Sequence, residues 1–309
     1  MSTESVEILL AVYNGSKYIR EQMDSILNQT DTRWHLTVSD DGSTDGTLSI
    51  LDAYAAQFPE KISVYRSGIR FGNARDHFFR LMQQCEAPCM MFCDQDDVWH
   101  SDKVKKTLDA LQSAQERWGT QMPLLIFSDQ TVTDEELNPI APSLMRYQRH
   151  YCEEFDYRSI LMQNVVTGGA MMINRTLADL AMKCCDTSGI ILHDWWLAAV
   201  AARFGRILYI DEPLGMYRQH GQNSVGAKDV GSAEYVLGML ARTGELRKSI
   251  FRKKRQAAVF AKTYQAELHA EDRAFLHGFG RARSGPVFYG RYRKQIHGFC
   301  RLAGFALLG

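Results

Sequence analysis

The sequence lacks most of the features that would classify it at once. Its 309 residues carry no net charge, 36 Lys and Arg against 36 Asp and Glu. Its seven cysteines are odd in number and contain no CxxC pair, which excludes a disulfide framework. Cys85, Cys89 and Cys93, spaced four apart, and the doublet Cys184-Cys185 read as reduced core residues, and so point to a reducing compartment. No apolar run approaches the ~18 residues needed to cross a bilayer. No basic region precedes the first short apolar run, so no secretory signal is expected and the expected location is cytoplasmic. After that run, Ala11-Val12-Tyr13-Asn14-Gly15 offers one glycine where a dinucleotide fingerprint needs three, and no P-loop occurs.

What is present is a period that changes with position. Val6–Val12 is a short apolar run suited to a buried strand, and Tyr18, Ile19, Met23, Ile26 and Leu27 follow at helical spacing. Strands are expected at 34–39, 62–65, 88–93 and 124–128. Helices are expected over 48–58, 73–85 and 103–118, with Ser43 or Thr44 capping the first and Ser101 or Asp102 the last. Alternation at this spacing predicts an α/β fold with a mostly parallel sheet covered by helices on both faces. Ligands bind beyond the carboxyl ends of such strands. Asp40 and Asp94 both stand at strand ends, so both should face one crevice.

The densest chemistry is Asp94-Gln95-Asp96-Asp97-Val98-Trp99, three carboxylates in four residues directly after the run Met90-Met91-Phe92. Unpaired buried charge is expensive. A divalent cation joining the protein to a phosphate-bearing substrate would account for it, since Mg and Mn favour carboxylate and phosphate oxygens. An acidic turn that is merely solvated, or that caps the next helix, is the alternative.

Charge is unevenly spread. Residues 228–309 hold 16 Lys and Arg against 6 Asp and Glu, leaving 20 against 30 in residues 1–227. In the tail, Arg247, Lys248, Arg252, Lys253, Lys254 and Arg255 lie beside Ile250, Phe251, Val259 and Phe260, and Phe288, Tyr289 and Tyr292 alternate with Arg291, Arg293 and Lys294. Such a tail either lies on an anionic membrane surface or packs against the acidic body. No nucleic-acid motif supports nucleic acid as the partner. The expected organisation is a catalytic domain over 1–227, with a nucleotide half of about 1–130 and an acceptor half of about 131–227. A basic helical tail over 228–309, broken by glycines at 278–285, would follow.

The segments V-Y-N-G at 12–15, S-D-D-G-S-T-D-G-T at 39–47, D-Q-D-D-V-W at 94–99, H-D-W-W at 193–196 and R-Q-H at 218–220 occur in that order. Together they resemble the family 2 glycosyltransferases with the GT-A fold, over roughly residues 6–225. The form D-Q-D-D-V-W is most similar to bacterial rhamnosyltransferases of O-antigen and capsule assembly. The resemblance implies an inverting, metal-dependent transferase that takes a sugar from a pyrimidine nucleotide-sugar to a hydroxyl of a glycan or lipid-linked acceptor. L-rhamnose from dTDP-L-rhamnose is the first expectation, and a UDP-sugar-dependent glucosyl-, galactosyl- or N-acetylhexosaminyltransferase the alternative. If the acceptor is lipid-linked, a membrane-facing tail would bring the site to it, so the expected location is cytoplasmic, peripheral on the inner face of the cell membrane where the tail meets lipid. A sugar-1-phosphate nucleotidyltransferase would want a glycine-rich, basic segment after the first strand, which residues 12–16 lack. A silent nucleotide-sugar binder would have no chemical need for Asp94, Asp96 and Asp194 together.

Residue by residue, the resemblance makes Asp40 the partner of the pyrimidine N3–H, where an ionised carboxylate accepts; an Asx-type turn over Asp40-Asp41-Gly42-Ser43 is the competing reading. Val12, Tyr13, Asn14 and Asp41 fall in the segments that line the nucleoside, with core packing the alternative for Tyr13. Asp96 matches the direct ligand of a divalent metal, Mn or Mg, and Asp94 reaches the ribose or the metal through water. Asp97 either orients the site or helps cap the next helix. His220 would complete the metal shell or meet the diphosphate, and Arg218 the diphosphate. Asp194 matches the base that takes the acceptor proton, against a helix-start carboxylate that only satisfies amides. Its neighbour His193 departs from the glutamate more usual there. Trp99, Gly168, Gly169 and Trp195 fall on the acceptor side, with core packing open for Trp99 and a tight turn for the glycines.

Overall fold

The computed structural model describes residues 5–66, 68–150, 155–221 and 243–281. In chain order the first half comprises β1 (Val6–Val12), α1 (Ile19–Leu27), β2 (Trp34–Asp40), α2 (Thr47–Gln57), β3 (Ile62–Tyr65), α3 (Ala74–Gln84), β4 (Cys89–Cys93), β5 (Val98–Trp99) and α4 (Lys103–Trp118). The second half adds β6 (Leu124–Thr133), β7 (Pro139–Ala141), α5 (Leu144–Tyr147), α6 (Tyr157–Met162), β8 (Met171–Asn174), α7 (Arg175–Ala181), α8 (His193–Phe204), β9 (Arg206–Arg218), α9 (Thr243–Thr263) and α10 (Ala270–Gly280).

Among the described residues the strands form one sheet in the order β3-β2-β1-β4-β8-β6-β9-β5, with β7 paired to β6. β8 runs antiparallel to both β4 and β6. Consequently β4 and β6 keep the direction of β1, β2, β3 and β9. Both faces of the sheet are buried, and side chains alternate between two cores as the strand period of two requires. Ile8, Leu10, Met91, Leu124, Ile126 and Met172 join one core with α1 and α4. Leu9, Met90, Phe92, Leu125, Phe127 and Ile173 join the other, with α3, α6 and α8. From β1 the chain steps to β2 in one direction and to β4 in the other, so the loops after β1 and β4 diverge at a switch point where such sheets bind ligands.

Three local expectations change. Neither Ser43 nor Thr44 caps α2: the N-cap is Gly46 in left-handed conformation (φ 87°). Asp102 occupies the N-cap of α4, but its carboxylate pairs with Lys106 (2.7 Å) and caps nothing. The strand expected at 124–128 runs on to Thr133, and β9 pairs along it as far as Arg218, with the register between them shifting around Asp129.

The described part of the basic tail is helical and shares the second core. Ile250, Ala257, Phe260, Tyr264, Leu268, Phe275, Leu276 and Phe279 pack with Trp196–Ala201 of α8 and with α6. The break between the helices falls at 264–269, and α10 continues through Gly278 to Gly280. The basic-aromatic segment at 288–294 lies outside the described residues. Asp272 ties the tail down: its buried carboxylate accepts from Tyr157 Oη (2.7 Å) and Arg203 Nε (2.8 Å). Removing one member of a buried pair leaves the other uncompensated. Asp272→Ala should therefore cost about 3–5 kcal/mol, read from the urea midpoint at unchanged m-value. A loss under ~1 kcal/mol, the ordinary value of a surface pair, would show that the tail holds without this hub.

Candidate active site

The loops that follow β1, β2 and β4 are stitched together by hydrogen bonds that short polar side chains supply. The Asn14 amide donates to Ser43 Oγ (2.8 Å), the Thr44 amide to Asn14 Oδ1 (2.9 Å) and the Gly15 amide to Thr47 Oγ1 (2.9 Å). Asn14 itself is in left-handed conformation, φ 47°, a region that asparagine tolerates. Gln95 holds the first loop from the β4 side: it accepts from the Tyr13 amide (2.8 Å) and donates to the Tyr13 carbonyl (3.1 Å). A side chain at Gly15 would fall 2.7 Å from Gln95 Oε1, which is why that position is glycine. Nothing in the sequence distinguished Gln95 from a spacer between aspartates.

At the end of β2, Asp40 accepts from the amides of Gly42 (3.0 Å) and Ser43 (2.9 Å), so the Asx-type turn is present. The turn fixes the carboxylate at the crevice mouth without exhausting its lone pairs. Asp41 is buried and accepts from the amides of Phe71 (2.5 Å) and Gly72 (2.7 Å), pinning the loop that carries Arg70. Arg70 lies over the Tyr13 ring (4.9 Å) and donates to its hydroxyl (2.6 Å). Tyr13 is 43% exposed, which rules out core packing, whereas Val12 is buried. Asp41 thus holds the loop that sets Arg70 against Tyr13, a contact that sequence reasoning missed.

β8 begins where β4 ends because the two are antiparallel. The single turn Gly168–Ala170 before β8 therefore lies against Asp94. A Cβ on Gly169 would stand 2.9 Å from Asp94 Oδ2 and 3.1 Å from Asp97 Oδ2; one on Gly168 would stand 3.0 Å from His193 Nε2. The tight turn is present, and its backbone runs close to two sets of side chains. Across this turn stands Asp194, in the first turn of α8, accepting from the Trp195 amide (2.6 Å). Burial pushes the Asp194 carboxyl up to about 7, against the pull of the Trp195 and Gly168 amides. Asp94 is also pushed up to about 7, by burial first and then by the charges of Asp96 and Asp194. Asp97 rises well above the usual carboxylate range, by burial first and then by the charges of Asp96 and Asp94.

Asp96 meets His220, whose Nε2 lies 2.7 Å from its Oδ2 while Tyr18 packs beside the imidazole (4.8 Å between centroids). The two are a pair and not a closed cage: among the described residues no three His, Cys, Asp or Glu side chains converge on one point. Asp97 does not cap α4; it accepts from the Arg218 amide (3.2 Å) and Gln130 Nε2 (3.3 Å).

Two placements correct the sequence reading. Arg218 does not reach into the crevice. It is 3% exposed, and its guanidinium donates to the carbonyls of Asp96 (2.8 Å) and Glu135 (2.5 Å) and to the Glu21 carboxylate, so it braces the acidic turn from behind. Trp99 is in β5, buried in the first core, and lines no acceptor pocket. Its ring is covered by Lys103 (4.2 Å), a fully buried lysine that donates to the Gly169 carbonyl (2.5 Å). Burial lowers the Lys103 ammonium to about 8, and Asp97, Cys93 and Asp94 pull it back up. Trp195 is half-buried, donates to the Ile160 carbonyl and lies under Lys253 of α9 (5.7 Å). His193 fills a slot between Phe78 (4.1 Å) and Phe92 (5.2 Å), and burial drops its imidazole to about 3.

Residues 7–152 match the family described as Glycosyl transferase family 2. The chain is 30% identical over 253 residues to the dTDP-rhamnosyl transferase RfbG of Shigella flexneri, covering 78% of this chain and 82% of that relative. Among solved structures it is similar to S. aureus TarS residues 1–349 in complex with UDP-GlcNAc (TM-score 0.55, 14% identity, 98% of this chain and 90% of that one). It is also similar to the mannosyltransferase PcManGT of Pyrobaculum calidifontis in complex with GDP-Man and Mn2+ (TM-score 0.51, 14% identity, 98% and 86%). At that identity the structures speak for the fold, which is that of GT-A glycosyltransferases.

Arg218→Lys separates a brace from a ligand for diphosphate. It keeps the charge but loses the planar fork that serves three acceptors. Thermal unfolding should show a loss of ~2 kcal/mol or more, from several charge-assisted bonds at once. Unchanged stability with weakened donor binding would restore Arg218 to the substrate.

Proposed function

Because the chain belongs to the family 2 glycosyltransferases, we propose that it transfers L-rhamnose, with inversion, from dTDP-L-rhamnose to a hydroxyl of a growing cell-surface glycan. The observation that carries the chemistry is the meeting of Asp194 with Asp94 across the Gly168–Gly169 turn. One carboxylate stands on the side of the nucleotide loops, and the other heads the helix opposite. The identity with a relative named as a dTDP-rhamnosyl transferase supports the choice of donor.

Asp40, at the crevice mouth, accepts from the N3–H of thymine, and Tyr13 with Arg70 offers a flat, half-cationic surface to the base. Asp96 with His220 would hold a divalent metal, Mn or Mg, and Asp94 would reach it through water. The donor set fits: carboxylate oxygens and an imidazole beside a phosphate site suit these ions, and burial, then the charges of Asp96 and Asp194, already push the Asp94 carboxyl up. Such a metal, when bound, offsets the charge of the departing diphosphate. Asp194 accepts the proton of the acceptor hydroxyl as its oxygen bonds to the anomeric carbon. The bond from that carbon to the diphosphate oxygen breaks, and its electron pair leaves with dTDP. Attack opposite the leaving group inverts the centre. The neutral imidazole of His193 adds no charge beside the base.

Asp194→Asn keeps the shape and removes the base. Transfer should fall ~10²–10⁴-fold, the usual contribution of a positioned base, while the donor still raises the melting temperature. Retained transfer would remove Asp194 from the role. The base works ionised, and burial holds its carboxyl at about 7. In wild type, kcat/KM should therefore climb with pH up to about 7 and level off above it; a flat profile between pH 5 and 8 would contradict the assignment. A metal-dependent thermal shift with UDP-sugars and none with dTDP-L-rhamnose would keep the enzyme class and sink the rhamnose donor.

A further inference from the structure

The tail helix α9 has two unlike faces. Ile250, Gln256, Ala257, Phe260 and Tyr264 are buried in the body. Arg247, Lys248, Phe251, Arg252, Arg255 and Lys262 are exposed, and their spacing of three, four and seven places them along one side of the helix. From residue 247 to 262 this stripe runs for about 22 Å at 1.5 Å per residue. Glu245 is the one acid on this exposed side, and it pairs with Lys248 (2.8 Å). In the N-terminal half of the stripe, between Arg247, Lys248 and Arg252, stands Phe251, 69% exposed and the most exposed large apolar side chain among the described residues.

We infer that this face of α9 is a docking surface for an anionic lipid bilayer. The inference goes beyond the transferase reading and does not depend on it. The C-terminal cations of the stripe lean on the body, Arg255 donating to Ser188 Oγ (3.0 Å) and, with Lys262, adding to the Ser188 hydrogen bonds that lower the Asp186 carboxyl, whereas Arg247, Lys248 and Arg252 stand exposed around Phe251. Charge alone would suit any polyanion, but Phe251, set between these last cations, selects among them. An aromatic ring flanked by Arg and Lys enters the headgroup–acyl boundary while the cations meet lipid phosphates. No helix among the described residues is long and apolar enough to span a bilayer, so the contact is a surface contact.

Docking here would set the height of the catalytic site. On its inner side α9 holds the segment leading to Asp194: Gln256 Oε1 accepts from the Ile191 amide (2.8 Å), and Lys253 lies over Trp195. That segment would ride about one helix diameter, ~10 Å, above the lipid headgroups. An acceptor anchored in the same bilayer would present its reactive hydroxyl at that height.

Flotation of the full-length protein with vesicles tests this, using phosphatidylcholine alone or mixed with phosphatidylglycerol, and no donor or acceptor. Wild type should float with the anionic vesicles only. It should detach as salt rises from about 0.1 M to about 1 M, which shortens the Debye length from about 10 Å to about 3 Å. Each basic residue near such a surface contributes about fivefold in affinity, so R247Q/R252Q should bind ~30-fold more weakly, and Phe251→Ala should weaken binding as well. Equal binding to neutral vesicles, unchanged binding by R247Q/R252Q, or displacement by single-stranded RNA in preference to lipid would overturn the inference. These exposed positions lie outside the catalytic machinery. Transfer to a soluble acceptor should therefore be unchanged in both variants, which keeps failure of docking distinct from failure of the proposed reaction.

Discussion

The structure is organised around the repulsion among carboxylates gathered at one edge of the sheet. Asp94, Asp96 and Asp97 leave β4 together, and Asp194 arrives from α8 to stand beside them. Unopposed, that charge would force the turn open into solvent. Two buried cations hold it. Arg218 comes from the far end of β9 and grips the backbone of the turn, and Lys103 comes from the first turn of α4 and sits beneath it. Several features that look incidental follow from those two placements. β5 exists because the chain must turn back beside β9 for Arg218 to reach Asp96 and Asp97. Gly169 is glycine because its carbonyl meets Lys103 while its Cα faces two carboxylates. Gly215 lets β9 lie close to β5, where a Cβ would stand 3.2 Å from the Val98 carbonyl.

The division of labour around the crevice has a similar physical basis. The nucleotide side consists of loops whose amides are satisfied by one another's side chains, so they are set before any ligand arrives. The opposite side is made from helix α8, and α8 is held by packing. Trp196, Phe260 and Tyr264 interlock there, and Asp272 pairs with Arg203 at the other end of the helix. The basic tail is therefore part of the wall that carries Asp194, although its composition differs so sharply from that of the body.

The first half was legible because each strand and helix there satisfies its own period, and because carboxylates at strand ends can only face the crevice. Asp40 and Asp94 were found by that logic, and Asp96 by the acidic cluster and the resemblance. What stayed hidden depended on long-range pairing. Met171–Asn174 is too short to declare its direction, yet its antiparallel insertion is what brings Gly168 and Gly169 to Asp94. Lys103 begins the run Lys-Val-Lys-Lys, and sequence cannot tell which lysine of such a run turns inward. Arg218 stood two residues from His220 in sequence, and only the fold shows Arg218 bracing the turn's backbone and Glu21 while His220 meets the Asp96 carboxylate.

His193 shows how the same constraint governs a departure from the family's usual pattern. A glutamate in its place would set a further carboxylate between Phe78 and Phe92, directly before Asp194, where burial penalises any charge. That carboxylate would have to take up a proton, or it would push the Asp194 carboxyl above the value that burial already gives it. An imidazole held neutral by the same aromatic walls fills the slot without that conflict. Both its ring nitrogens lack a hydrogen-bond partner among the described residues, a cost of a few kcal/mol at most and smaller than that of an unpaired buried charge. The aromatic slot and the neutral ring are thus one adaptation: the base stands next to a side chain that can be buried beside it without competing for its proton.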